Sequence, residues 1–227
     1  MTTAIDIEAT GATFSIDQQL DVRARTHHAI QAIASEIKAG MVEEDATAMA
    51  RDLLGTMNMR KGWHRVIVRF GPNTTKDFDA KSEPGVVLGE NDIFFLDIGP
   101  IHNGCEGDAG ETFVMGNDPE HHRAKADVRA LWDDTREMWF TEGLTGRELY
   151  DYAIAATEKR GWRLNLDLSG HRLSEFPHEA HYAGSLADAE LYPRPNRWVL
   201  EMAIVHPERQ FGAFYEDILL EDQSFPA

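Results

Sequence analysis

Apolar side chains at Leu20, Val22, Ala24, Ile30, Ile33, Ala34 and Ile37 recur at helical spacing, which predicts a helix over 17–39 that stops at Gly40. A second helix is expected over about 43–61, ending near Gly62. The pattern then changes to short, dense apolar runs. Arg65–Phe70, Val86–Leu88, Ile93–Ile98 and Thr112–Met115 read as strands separated by turn residues. Asn117-Asp118-Pro119-Glu120 has the form of a helix start with proline in the first turn, and that helix should run to about 142. Thr145-Gly146-Arg147-Glu148 is a capping-box pattern opening a helix to about 160. Strands are expected over about 163–170, 178–183, 198–206 and 212–221.

The second half of this order echoes the first. Lys38-Ala39-Gly40, a helix and Lys61-Gly62-Trp63 are followed by strands. Glu142-Gly143, a helix and Arg160-Gly161-Trp162 are followed by strands as well. Gly40 precedes Asp97 by 57 residues and Gly143 precedes Glu201 by 58, and each acid interrupts an apolar strand. Two related α+β halves packed as one domain, with a site between their sheets, account for this. At 227 residues, 42% hydrophobic and 27% charged, the chain can bury a core of that size. One domain over 1–227 is expected, with about 1–16 as an N-terminal arm and no separate N-terminal domain.

Charge narrows the function. Against 39 acidic residues stand 22 basic ones, a net charge of -17, which disfavours nucleic acid and anionic membrane surfaces as partners. Cys105 is the only cysteine, so there is no disulfide framework, and no base is placed beside it to activate a thiolate. The first residues lack a basic and an apolar signal region, and no run reaches the length of a membrane span, so a cytoplasmic location is expected.

Asp97 lies in Ile93-Phe94-Phe95-Leu96-Asp97-Ile98 and Glu201 in Trp198-Val199-Leu200-Glu201-Met202-Ala203-Ile204. An unpaired carboxylate inside such a run is costly, and a bound divalent cation is the simplest compensation. Asp108, His171 and Glu216 complete a candidate set of oxygen donors and one imidazole, which suits Mn, Fe, Co or Zn. Taken singly, Asp108 reads as a turn residue, Glu216 as a solvated strand end and His171 as a core histidine; the joint order is what carries weight. His64, His181 and His206 are further candidates for lining a pocket. His27, His28, His102, His121 and His122 read as surface residues, and Trp63, Tyr182 and Trp198 as core.

In order, the site reads Asp97-Ile98-Gly99, Asp108, Gly170-His171, Pro177-His178-Glu179, Leu200-Glu201 and Tyr215-Glu216-Asp217. Gly40-Met41-Val42-Glu43, Phe70-Gly71-Pro72-Asn73 and Glu90-Asn91-Asp92 accompany it. The set resembles the pita-bread metallopeptidases, the family of methionine aminopeptidase, aminopeptidase P, prolidase and creatinase, from about residue 20 to the end. The resemblance implies an α+β pita-bread fold with two pseudo-symmetric halves and helices outside antiparallel sheets. It also implies two divalent ions that activate a water: Asp97 on one ion, Asp108 and Glu216 bridging, His171 and Glu201 completing the second. Glu201 would take the water's proton, and His178 would hydrogen-bond the substrate carbonyl. A homodimer is consistent with the resemblance.

The departures concern substrate. Family peptidases carry a histidine shortly after the Gly-Pro-Asn loop, where this chain has Thr74-Thr75-Lys76-Asp77-Phe78; Asp77 and Lys76 are the candidate replacements. The glycines usual between the two histidines are replaced in Arg172-Leu173-Ser174-Glu175-Phe176. The leading expectation is therefore a metal-dependent hydrolase of aminopeptidase or Xaa-Pro dipeptidase type acting on a small peptide or peptide-like molecule. The alternatives are a repurposed lyase on the same fold, as in dimethylsulfoniopropionate lyase, and a non-catalytic binding protein.

Overall fold

The computed structural model describes residues 6–59, 61–180 and 182–220. His181, and the ends of the expected arm and last strand at 1–5 and 221, lie outside the described residues. The helices are α1 (Ile16–Glu36), α2 (Glu43–Thr56), α3 (Pro119–Glu142) and α4 (Gly146–Lys159). The strands are β1 (Ile67–Phe70), β2 (Asp92–Ile98), β3 (Ile101–His102), β4 (Cys105–Glu106) and β5 (Ala109–Met115), followed by β6 (Arg163–Leu164), β7 (His171–Arg172), β8 (Trp198–Val205) and β9 (Gly212–Ile218). No described helix is long and apolar enough to cross a membrane.

Local chemistry explains most boundaries. Asp118 caps α3, Pro119 occupies its first turn, and Gly143 ends it at φ 65°. Thr145 and Glu148 close a complete capping box on α4. α2 ends sooner than expected, because Asn58 turns left-handed at φ 58° just after it. Val86–Leu88 is not a sheet strand: its backbone bonds to the loop before α2 through Gly40 N to Leu88 O (2.8 Å), Leu88 N to Met41 O (2.9 Å) and Glu43 N to Val86 O (2.9 Å). Of the strand expected over 163–170 only β6 forms, and the described residues of 178–183 are not in a strand.

Seven strands make one antiparallel sheet in the order β1-β2-β5-β9-β8-β6, with β7 also on β8, and β3 pairs with β4 in a separate two-stranded sheet. The two expected halves are present, and their strands join through β5–β9 into a continuous sheet. The order reads the same from either edge if β1 matches β6, β2 matches β8 and β5 matches β9. Each half keeps its own helices: α1 and α2 cover Phe94, Leu96 and Ile98, while α3 and α4 cover Leu200, Met202 and Ile204. Alternation along each strand sends the intervening residues to the other face, where Ile67, Phe95, Ala203 and Phe214 form a small apolar floor.

The halves meet at β5–β9, where the only ladder pair is Gly110↔Glu216. Thr112 replaces part of the missing ladder: its Oγ1 donates to Phe214 O (2.8 Å) and accepts from Phe214 N (2.7 Å). The Gly71–Thr75 turn is held from α2, where Glu43 Oε2 accepts from Phe70 N (2.6 Å) and Asn73 Nδ2 (3.0 Å). Two of the sequence motifs are therefore one structural contact.

Asp118 also binds Arg209, at 3.2 and 2.7 Å, and that guanidinium, with the α3 amide of Glu120, holds the carboxyl below its usual range. Asp118→Ala should lower the melting temperature by roughly 2–8 °C, the effect of losing about 1–2 kcal/mol of capping in a chain this size. A depressed carboxylate stabilises the fold only while ionised, so the gap between variant and parent should narrow below about pH 4. Thermal melts at pH 7 and pH 3 check both statements.

Candidate metal centre

The site lies on the sheet face away from the helices, across the seam. Register places Asp97 opposite Gly110, Gly110 opposite Glu216, and Glu216 opposite Glu201. Residues aligned across a sheet point to the same side, so this row projects three carboxylates into one space. Gly110 leaves the gap between them: a Cβ there would lie 2.3 Å from a Phe214 ring carbon and 3.0 Å from Glu216 Oε1. Asp108 enters from just before β5, and His171 from β7 beside β8. Asp97, Asp108, Glu201 and Glu216 are all buried, between 2 and 7% exposed.

His171 Nε2 is 2.8 Å from Asp108 Oδ2 and 3.3 Å from Glu201 Oε1. A second imidazole is present. His64 Nε2 is 3.2 Å from Asp108 Oδ1 and 3.5 Å from Asp97 Oδ1. Donor atoms of His64, Asp97 and Asp108 lie within 4.8 Å of one another, as do those of Asp108, His171 and Glu216. Asp108 belongs to both groups.

Electrostatics follow from burial. Desolvation raises Asp97 to about 6 and Glu201 to about 7, and it raises Glu216 well above the carboxylate range. The Asp108, Asp97 and Glu201 carboxylates beside Glu216 push it the same way as burial does. Asp108 is buried too, but hydrogen bonds from His171 and His64 hold it low. Burial opposes the charged forms of both rings; their carboxylate neighbours outweigh it and hold His64 at about 9 and His171 at about 10.

The donor set fits a divalent cation. Glu216 Oε1 is buried with no hydrogen-bond partner, an uncommon and costly state for a carboxylate oxygen. A hard or borderline cation facing oxygen and imidazole donors would satisfy it and relieve the crowding of like charges.

The cavity over the row measures about 320 Å³, and its wall includes Trp63, Phe78, Asp79 and Ser169. His178 is not in that wall. It lines an adjoining cavity of about 430 Å³ with Glu106, Phe176 and Tyr182, sharing Trp63 and His171 with the first. Its Nε2 is 2.5 Å from the buried Glu106 Oε2.

Other positions depart from expectation. Lys76 pairs with Glu83 at 3.1 Å and Asp77 accepts from Asn165 at 3.0 Å, and neither lines the cavity. His206 packs on Trp162 and Phe211, away from the site. His121 is buried against Phe211 and His27 binds the buried Asp217 at 3.1 Å, so neither is a free surface residue. Trp63 and Tyr182 line cavities, while Trp198 is core. Cys105 is buried and unpaired.

The model of metallopeptidase family M24 matches residues 20–221. The chain belongs to this family. Three solved structures share its fold. Prolidase from Pyrococcus horikoshii OT3 is 17% identical with TM-score 0.70, covering 92% of this chain and 61% of its own. X-Pro aminopeptidase from Thermotoga maritima MSB8 is 16% identical with TM-score 0.71 (92% and 60%). Xaa-Pro dipeptidase from Bacillus anthracis is 18% identical with TM-score 0.68 (92% and 60%). This M24 chain spans about three fifths of their length. No curated protein sequence matches it.

Glutamine imitates the protonated form that burial favours for Glu216. Glu216→Gln should thus leave the melting temperature in EDTA within about 1 °C of the parent, a change of roughly 0.3–0.5 kcal/mol. The rise in melting temperature on adding Mn²⁺ should vanish. Differential scanning fluorimetry with and without EDTA measures both.

Proposed function

We propose that this M24 protein is a metal-dependent hydrolase of the aminopeptidase or Xaa-Pro dipeptidase type, cleaving an amide in a small peptide or peptide-like substrate. The observation that carries it is the pair of donor groups sharing Asp108, a layout suited to two cations with one carboxylate between them. Asp97, Asp108, His171, Glu201 and Glu216 would hold two ions, with manganese, cobalt, iron or zinc all compatible with these donors. Such ions supply charge that lowers the pKa of water and polarises a carbonyl.

The chain's own groups do the rest. Glu201 would be the base: its carboxylate is buried in the row facing Glu216, placed to take a proton from a water held there. Its position is fixed through the backbone, where Tyr150 Oη donates to Glu201 O (2.8 Å) from α4 and Trp132 Nε1 donates to Leu200 O (2.8 Å) from α3. Glu106 orients the His178 ring, which would donate to the substrate carbonyl as negative charge develops on it. Phe78 and Trp63 give the cavity apolar walls for a substrate side chain. The single unpaired Cys105 suits a reducing cytoplasm.

One observation favours a second reading. Phe78 lines the cavity from a segment after the Gly-Pro-Asn loop, Thr74-Thr75-Lys76-Asp77-Phe78, that has no histidine, which is compatible with a lyase that removes a proton beside a polarised carbonyl. Products separate the two: elimination leaves an alkene, hydrolysis incorporates solvent oxygen.

Asp108→Ala and Glu216→Ala should abolish turnover of a dipeptide panel and also remove the stabilisation by metal, about 2.7 kcal/mol at 100 times the dissociation constant. His178→Ala should reduce turnover by roughly 10²–10³-fold, the usual loss of one oxyanion donor, with metal content unchanged. Mass spectrometry of products and elemental analysis check them. No turnover by any of the four metal forms, or equal metal loss in all three variants, refutes the division of roles.

A further inference from the structure

We infer that His64 is a further protein ligand of this metal centre, giving the ion on the Asp97 side an imidazole nitrogen to match the one that His171 gives the other. The inference rests on the dinuclear reading above and adds a residue outside its five-ligand set.

Geometry carries it. The two imidazoles flank Asp108 from opposite sides, His64 Nε2 at 3.2 Å from Oδ1 and His171 Nε2 at 2.8 Å from Oδ2. Both are oriented in the same way. His64 Nδ1 donates to Arg65 O at 2.7 Å, and His171 Nδ1 donates to Arg172 O at 2.8 Å. A carbonyl can only accept, so each contact places a proton on Nδ1 and leaves Nε2 to face the carboxylates. Metal-ligating histidines are commonly fixed by this outer hydrogen bond. Trp63 braces both rings edge-on, at 4.5 Å from His64 and 4.9 Å from His171, and its own Nε1 donates to Gly107 O at 3.0 Å.

The protein also makes room for His64. A Cβ on Gly99 would fall 2.0 Å from His64 Cδ2 and 2.1 Å from Nε2, so the ring occupies space that any side chain at 99 would fill. His64 also faces Phe78, at 5.8 Å between ring centres, in the segment that follows the Gly71–Thr75 turn. The nitrogen donor on this side of the cavity thus comes from the start of the strand region, with a phenyl ring on the loop beside it.

A second imidazole shifts the metal preference. Nitrogen donors suit zinc and cobalt better than manganese, so His64 tilts the Asp97 side toward the later metals. A pair of ions with one nitrogen each is also more nearly alike in charge density than the five-ligand set gives.

The test compares the full chain with His64→Ala, His64→Phe, Gly99→Ala and His171→Ala by isothermal titration with Mn²⁺, Co²⁺ and Zn²⁺, and by pulsed electron paramagnetic resonance of the Mn²⁺ form. His64→Phe keeps a ring against Trp63, and circular dichroism in EDTA confirms that each variant is folded. The parent should show nitrogen modulation from two imidazoles, and both His64 variants from one. Their second binding event should weaken at least ~10-fold, as even loss of an outer partner weakens a metal site, and more for Zn²⁺ and Co²⁺ than for Mn²⁺. Gly99→Ala, which removes no donor, should reproduce this loss. Folded His64 variants with unchanged affinity and nitrogen count overturn the inference. So does a parent that binds one ion where His64→Ala binds two, since the ring would then stand in for a cation. If the parent binds no metal, or His171→Ala binds as the parent does, the dinuclear reading itself fails.

Discussion

Four buried carboxylates crowd one small space on this sheet, and strand register puts three of them there. Moving like charges out of water and toward each other is unfavourable, so burial pushes Glu216, Glu201 and Asp97 up from the usual carboxylate range while the His64 and His171 rings hold Asp108 low. The surrounding fold is arranged to hold this unfavourable arrangement in place. Helices α3 and α4 anchor the β8 backbone on both sides of Glu201 through buried hydrogen bonds. Arg23 from α1 makes a close ion pair with the buried Asp217, the residue after Glu216, and His27 joins it, keeping that neighbour low at about 2. Asp217 is compensated by protein cations, whereas Glu216 on the opposite face is not.

That contrast separates structural from chemical carboxylates along a single strand. Period-two alternation sends Glu216 to the cavity and Asp217 to the helix side, and each face supplies a different partner. Glu43 and Glu106 are buried acids of the structural kind, the first spent on the amides of the Gly-Pro-Asn turn and the second on His178 and the Ser174 amide. A motif shared with the family therefore does not by itself mark a residue that touches substrate.

The helices and long central strands were readable from the chain because their signals are local: apolar periodicity, a proline start, a capping box. Short pieces were not. β7 is two residues long and exists only because β8 pairs with it, and Val86–Leu88 is apolar enough for a strand yet spends its hydrogen bonds on the loop before α2. The β3–β4 hairpin carried a legible sign, Asn103-Gly104 with both residues at positive φ, and the chain leaving this turn places Glu106 in the adjoining cavity and Asp108 in the one over the row. Asp97, Asp108, His171, Glu201 and Glu216 could be singled out by order and resemblance. His64 could not be ranked above His181 or His206, because what sets it apart is the side chain missing from Gly99, far along the chain.

The palindromic strand order divides the site between the two halves. His64, Asp97 and Asp108 come from the N-terminal repeat, and His171, Glu201 and Glu216 from the C-terminal one, so each repeat brings one imidazole and two acids. Either half alone would carry only three of these six side chains, and the β5–β9 edge is what brings the two sets together. The two halves also differ: among the described residues β7 adds to β8 on one side, with no counterpart on β2.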